Sequence, residues 1–247
     1  MRDALGATAA RALDGLASHR LRFFVLGASG RTGAPFVAQA LERGHFVTAF
    51  VRNPSKLPDE VLTHGGLHAV HGELHDDDAV LRAVREVPPD VLVSMLASEA
   101  APYTAVSTGT RGLLRAVRAL GAPRALPFLS IASWGLGPSQ PYIEGLFARA
   151  LVGLAKRTFW AKPHADFEKQ LAEVARARDE GLIQPTILLP PMLASGPRTR
   201  TYLSGEPSAM KGGMRVTSSV DRASLAAPPP SRHGDWTPYA PGVTGMA

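Results

Sequence analysis

Between residues 21 and 190 the chain alternates between short apolar runs and stretches whose apolar residues recur at helical spacing. The first run, Leu21 to Leu26, breaks into three glycines spaced three apart, Gly27, Gly30 and Gly33. Pro35 to Arg43 then carries Phe36, Val37, Ala40 and Leu41 on one helical face, and Gly44 stops the helix. His45 to Val51 reads as a second strand, and Leu67 to Val70 as a third. Asp76 to Asp78 reads as the cap of a helix bearing Val80, Leu81, Val84 and Val87. Further strands are expected at Val91 to Leu96, Ala125 to Ile131 and Thr186 to Leu189, with a helix at Ala161 to Ala175. Strands alternating with helices predict an α/β fold: a doubly wound parallel sheet, covered on both faces, in the order 3-2-1-4-5-6. A ligand then belongs outside the carboxyl ends of strands one, four, five and six.

The glycine triplet is the first candidate for chemistry. A buried strand that turns sharply into a helix needs glycine where φ is positive, where backbone approaches a diphosphate, and where the helix packs on the sheet. The helix then offers free N–H groups to an anion. Gly27, Ser29, Gly30, Arg31, Thr32 and Gly33 are therefore the candidate cofactor-binding residues of this turn. A complete strand–helix–strand unit of about 30 residues surrounds them, which a turn using glycine for geometry alone does not require. Arg52 follows the second strand, where an acidic residue would accept from a ribose 2′-hydroxyl and an arginine would pair with a 2′-phosphate. It argues for NADP over NAD; the alternative is a solvated strand-end charge.

The strings V-L-G-A-S-G-R-T-G and G-H-F-V-T-A-F-V-R-N-P-S-K-L resemble the atypical short-chain dehydrogenase/reductases, the NmrA-like and flavin/biliverdin-reductase type of NAD(P)H-binding proteins. Softer likeness runs through His71 to Asp76, Pro89 to Ala97, Ser107 to Gly121 and Thr186 to Pro197, so that it covers about residues 21–222. The resemblance implies a Rossmann sheet. It also implies that Ser94, Met95 and Leu96 flank the nicotinamide ribose and that the backbone near Pro191 meets the carboxamide. Two consecutive prolines, Pro190 and Pro191, end strand six and fix a rigid wall there.

Short-chain reductases of the usual type carry a serine at the end of strand five and a Tyr-x-x-x-Lys on the next helix. Ser130 and Ser133 are both available, and the sequence does not choose between them. No Tyr-x-x-x-Lys exists in the chain; the matching helix carries His164 followed by Glu168. His164 is a candidate proton donor, since imidazole titrates near working pH, or it merely begins a helix. Asp166 and Glu168 read as members of a solvated first turn. His64, His68, His71 and His75 would form a metal-binding stripe only on a continuous helix, and Gly65, Gly66 and Gly72 interrupt it, so no metal site is expected.

Composition narrows the field. At 247 residues with no cysteine, the chain is long enough for one core that buries roughly 70–75% of its unfolded surface, without disulfides or thiolate chemistry. Its net charge of +6 is scattered, with Arg111, Arg115 and Arg118 along one helical face. No basic block or stacking motif suggests nucleic acid, and no apolar run reaches the roughly 18 residues of a membrane span. Residues 1–20 read as an N-terminal extension, residues 21–225 as the cofactor domain with a small substrate-side segment from about 190, and residues 226–247 as an irregular proline- and glycine-rich tail. Asp3 and Asp14 count against an import peptide, so that a cytoplasmic protein is the expectation, with organelle import by the N-terminal extension as the alternative.

Three functions fit. The first is an NADPH-dependent reductase of an aromatic, flavin or quinone-like small molecule. The second is an NmrA-like sensor that binds NADP without turnover and acts through a protein partner. The third is a structural protein on a degenerate cofactor fold, which the intact glycine triplet and Arg52 disfavour. A homodimer would complete a substrate pocket left open where Pro228 to Pro230 halt the last helix, with Gly205 to Gly213 as a flap.

Overall fold

The computed structural model describes residues 20–98, 100–133, 136, 143 and 146–190, together with four short strands beyond them. Six parallel strands form the main sheet: β1 (Arg22–Leu26), β2 (Phe46–Val51), β3 (Leu67–His71), β4 (Val91–Ser94), β5 (Leu126–Ile131) and β6 (Ile183–Leu188). Their order is β3-β2-β1-β4-β5-β6, as the alternating pattern predicts. The helices are α1 (Gly33–Glu42), α2 (Asp59–Leu62), α3 (Asp77–Glu86), α4 (Ala105–Leu120), α5 (Leu146–Arg157) and α6 (Ala161–Asp179).

Alternation along each strand divides the core into two layers. Phe23 and Val25 point to one face and pack with Phe36, Val37, Ala40 and Leu41 of α1 and Val61 of α2. Phe24 and Leu26 point to the other, against Val80 and Val84 of α3, Leu113, Leu114 and Val117 of α4, and Val174 and Ala177 of α6. Asp76 caps α3, its carboxylate accepting from the Ala79 amide at 2.8 Å, as its sequence position predicts.

Three boundaries differ from expectation. β6 begins at Ile183 rather than Thr186 and includes Pro185, which an edge strand tolerates because one side of its backbone has no ladder partner. β4 stops at Ser94, two residues early, as the chain peels away toward α4. Gly242–Gly245, inside the segment expected to be irregular, forms β10, which pairs antiparallel with β8 (Tyr202–Gly205). A strand joined by backbone bonds alone needs no hydrophobic alternation, so G-V-T-G gave no signal. A second small pair joins β7 (Met192–Ala194) to β9 (Val216–Ser218) in parallel. The N-terminal extension, Pro191, the expected flap beyond Gly205 and Pro228 to Pro230 lie outside the described residues.

Candidate cofactor and acceptor site

The turn after β1 is held open by glycine. Gly27 has a φ of +75°, and a Cβ there would sit 2.8 Å from the carbonyl carbon and oxygen of Met95. A Cβ on Gly33 would lie 2.0 Å from the Gly27 oxygen. The carboxyl ends of β1 and β4 and the start of α1 therefore close on one another to a degree that no side chain permits. Ser29 is partly exposed and Gly30 and Arg31 are exposed on the turn, while Thr32 and Gly33 are buried at its base.

The helices that follow β1, β3 and β4 differ at their N-termini. α3 is capped by Asp76. α4 is capped from outside its own segment: the carboxylate of Asp166, on α6, accepts from the Val106 amide at 2.9 Å, from the Ser107 amide at 3.1 Å, and from the Ser98 hydroxyl. α1 has neither device, since Thr32 makes no side-chain cap bond and the first turn holds no acid. Of these three, the positive end of α1 is the one left open to a ligand's anion.

Asp166 corrects the sequence reading. It is 2% exposed, not solvated, because α6 lies with Asp166, Gln170, Val174 and Ala177 against the body of the protein. The 4-4-3 spacing of those four was the available signal. Glu168 is exposed as expected.

Of the loop after β4, Ser94 is buried with no partner for its hydroxyl, whereas the Met95 and Leu96 side chains pack into opposite core layers. What Met95 and Leu96 present to the glycine turn is backbone. Arg52 is exposed just past β2, and among the described residues no carboxylate pairs with it. The next residue, Asn53, accepts from the amide and hydroxyl of Ser55 and shapes the turn that follows.

The two serines of strand five occupy different environments. Ser130 faces the core and accepts from Gln170 Nε2 at 2.8 Å; the same nitrogen donates to Thr110 Oγ1 at 3.1 Å. Ser133 lies beyond the end of β5 and is partly exposed. His164 is largely covered, with its ring edge-on to Trp160 at 5.6 Å and its Nε2 3.7 Å from Glu168 Oε1. Burial first, and then the nearby Lys156 charge, lowers its pKa against the opposing pull of Glu168, which favours neutral imidazole. His64, His68, His71 and His75 are spread from before β3 to beyond it, and among the described residues no group of three His, Asp or Glu could hold a metal.

A family model described as NAD(P)H-binding matches residues 27–227. The chain belongs to the NAD(P)H-binding family. A 3-diazoavenalumate denitrifying reductase of a Streptomyces species is 37% identical over 137 residues, half of this chain but only 42% of that relative's length. Solved structures share the fold, two of them as follows. ChuY, an anaerobillin reductase from Escherichia coli O157:H7, aligns with a TM-score of 0.65 at 18% identity, over 91% of this chain and 97% of its own. A wide-type short-chain dehydrogenase/reductase from Veillonella parvula, solved in complex with NADP, aligns at 0.66 with 16% identity, over 92% and 95%.

For a member of the NAD(P)H-binding family the residues present fit the cofactor. The glycine turn leaves room that a Cβ would fill, and the uncapped N-terminus of α1 stands beside it. No helix among the described residues is long and apolar enough to cross a membrane.

Proposed function

We propose that this protein is an NADPH-dependent reductase of a small aromatic, flavin or quinone-like acceptor. The observation that carries the reading is the pairing of an anion-ready α1 N-terminus with an exposed Arg52, without a carboxylate partner among the described residues, at the end of the neighbouring strand. In this reading Gly27, Ser29, Gly30, Arg31, Thr32 and Gly33 cradle the diphosphate and Arg52 holds the 2′-phosphate. Backbone at Met95 and Leu96 borders the nicotinamide ribose, and Pro191 walls the carboxamide. The bound cofactor supplies two electrons and a hydrogen to the acceptor.

Of the two serines, Ser133 is the one able to reach an acceptor, because it is partly exposed whereas Ser130 is fully buried against Gln170. Neutral His164, shielded beside Trp160, braces the acceptor wall in this reading more readily than it delivers a proton. The names of the Streptomyces relative and ChuY support reduction of a conjugated organic acceptor.

Calorimetric titration with NADPH and NADH, followed by turnover with quinone, flavin and biliverdin acceptors, tests the proposal. NADPH binding with oxidation on adding an acceptor is expected. Binding without turnover across the panel would favour the sensor reading, to which the missing Tyr-x-x-x-Lys lends support. Arg52→Ala should weaken NADPH binding by about 1.5–3 kcal/mol and leave NADH nearly unchanged; equal losses would make Arg52 structural.

A further inference from the structure

The segment between β4 and α4 contains a residue in an unusual backbone conformation. Tyr103 has a φ of +57°, in the left-handed region that bulky side chains seldom enter because Cβ crowds the backbone. Such strain persists only where the surroundings impose it, and it collects at sites of function. The surroundings here are identifiable. The Tyr103 amide donates to Ala100 at 2.9 Å, and the next residue, Thr104, is the N-cap of α4.

The first turn of α6 grips the same segment at two points. Lys162 places its ammonium 5.8 Å from the centre of the Tyr103 ring, and Asp166, about one turn further on, holds Ser98, Val106 and Ser107. The segment starts at Met95, whose carbonyl lies against Gly27. One end of it thus touches the cofactor turn and the other carries a tyrosine held by a cation. That tyrosine is partly exposed, and its hydroxyl bonds to nothing among the described residues. A strained, clamped side chain that is partly exposed at the ligand edge of the sheet is preorganised for a ligand rather than for the core.

We infer that Tyr103 is the residue that donates a hydrogen bond to the acceptor's carbonyl-type oxygen, with Lys162 as its positioning residue. The inference rests on the reductase reading and gives it the phenol that α6 lacks. Tyr103 Oη holds a proton at the acceptor oxygen; when that oxygen takes the proton, the phenolate regains one from solvent. Lys162 acts through the ring, keeping the phenol turned to the acceptor instead of folding into solvent.

The test uses the full chain and its Tyr103→Phe, Lys162→Met and Lys162→Arg variants, with menadione as the probe. Menadione binding to the cofactor-free protein is followed by tryptophan fluorescence, NADPH affinity by calorimetry, and kcat and KM from NADPH oxidation. Tyr103→Phe should weaken menadione binding and lower kcat/KM by about tenfold, as for one lost hydrogen bond, while NADPH affinity stays within about twofold. Lys162→Met should show part of the loss and Lys162→Arg should recover it. Unchanged menadione binding and turnover in Tyr103→Phe, with an active parent, would overturn the role of Tyr103 and leave the reductase reading standing. An equal loss of NADPH affinity would make the residue a structural part of the loop and likewise overturn it. A parent protein that neither binds nor reduces menadione, a flavin or biliverdin would remove the reductase reading, and this assignment with it.

Discussion

A carboxylate buried as deeply as Asp166 is kept only by the bonds it makes, and here it makes three. Asp166→Ala would leave two amides and a hydroxyl without an acceptor, and should cost about 2–3 kcal/mol in urea denaturation. Asp166→Asn, which keeps one good acceptor oxygen, should cost less; equal loss in both variants would show that the charge rather than the bonding matters. Single residues were unevenly legible in the sequence. Gly27 and Gly33 announced themselves because their requirement is local, a turn between adjacent elements. Asp166 and Ser130 did not, because their burial arises only where segments distant in the chain meet, and neither did the turn that sets the conformation of Tyr103. Ser130 in particular reads as an available hydroxyl until Gln170, 40 residues away, donates to it and covers it in the core.

At the scale of elements, histidine couples packing to pH. His45 Nδ1, at the entry to β2, accepts from the Leu21 amide at 3.3 Å, which requires an unprotonated nitrogen. Burial, and then the charge of Arg43, lowers its pKa; His164 at the start of α6 is lowered as well. For both, the unfolded chain binds protons more readily than the folded one, so their contribution is complete above about pH 6.5 and is lost as the pH falls through their lower folded values. Urea midpoints should therefore fall between pH 7.5 and 5, and His45→Gln should flatten the slope; a flat profile in the parent protein would show that these imidazoles are not coupled to folding. Element identities were legible because period two and period 3.6 differ over even a few turns. Boundaries were not, where Pro185 enters an edge strand or a ladder ends before its apolar run does, because hydrogen-bonded pairing, not hydropathy, sets them.

In the whole molecule, β1 lies between β2 and β4, with helices on both faces, while β3 and β6 form the edges. Hydrogen exchange should be slowest at the amides of β1, β4 and β5, faster in β3 and β6, and NADPH should add protection at residues 27–33; uniform protection across all six strands would contradict a sheet stabilised from its centre. Charge is also organised at this scale. The arginines that mark one face of α4 meet acids of other elements: Arg111 with Glu173, Arg115 with Asp77, and Arg118 with Glu180. The doubly wound order was legible because alternation of strand and helix leaves few topologies; the small sheets were not, as short strands carry little pattern.

The loan of Asp166 to another helix also has a meaning in time. Val106 and its acceptor stand 60 residues apart, so on a growing chain the start of α4 is made well before the group that completes it. Until α6 emerges and docks, the first turn of α4 frays, and the segment from Ser98 to Tyr103 has no fixed end. The segment that leads from β4 into α4 is therefore completed late in synthesis, after the glycine turn has all of its parts.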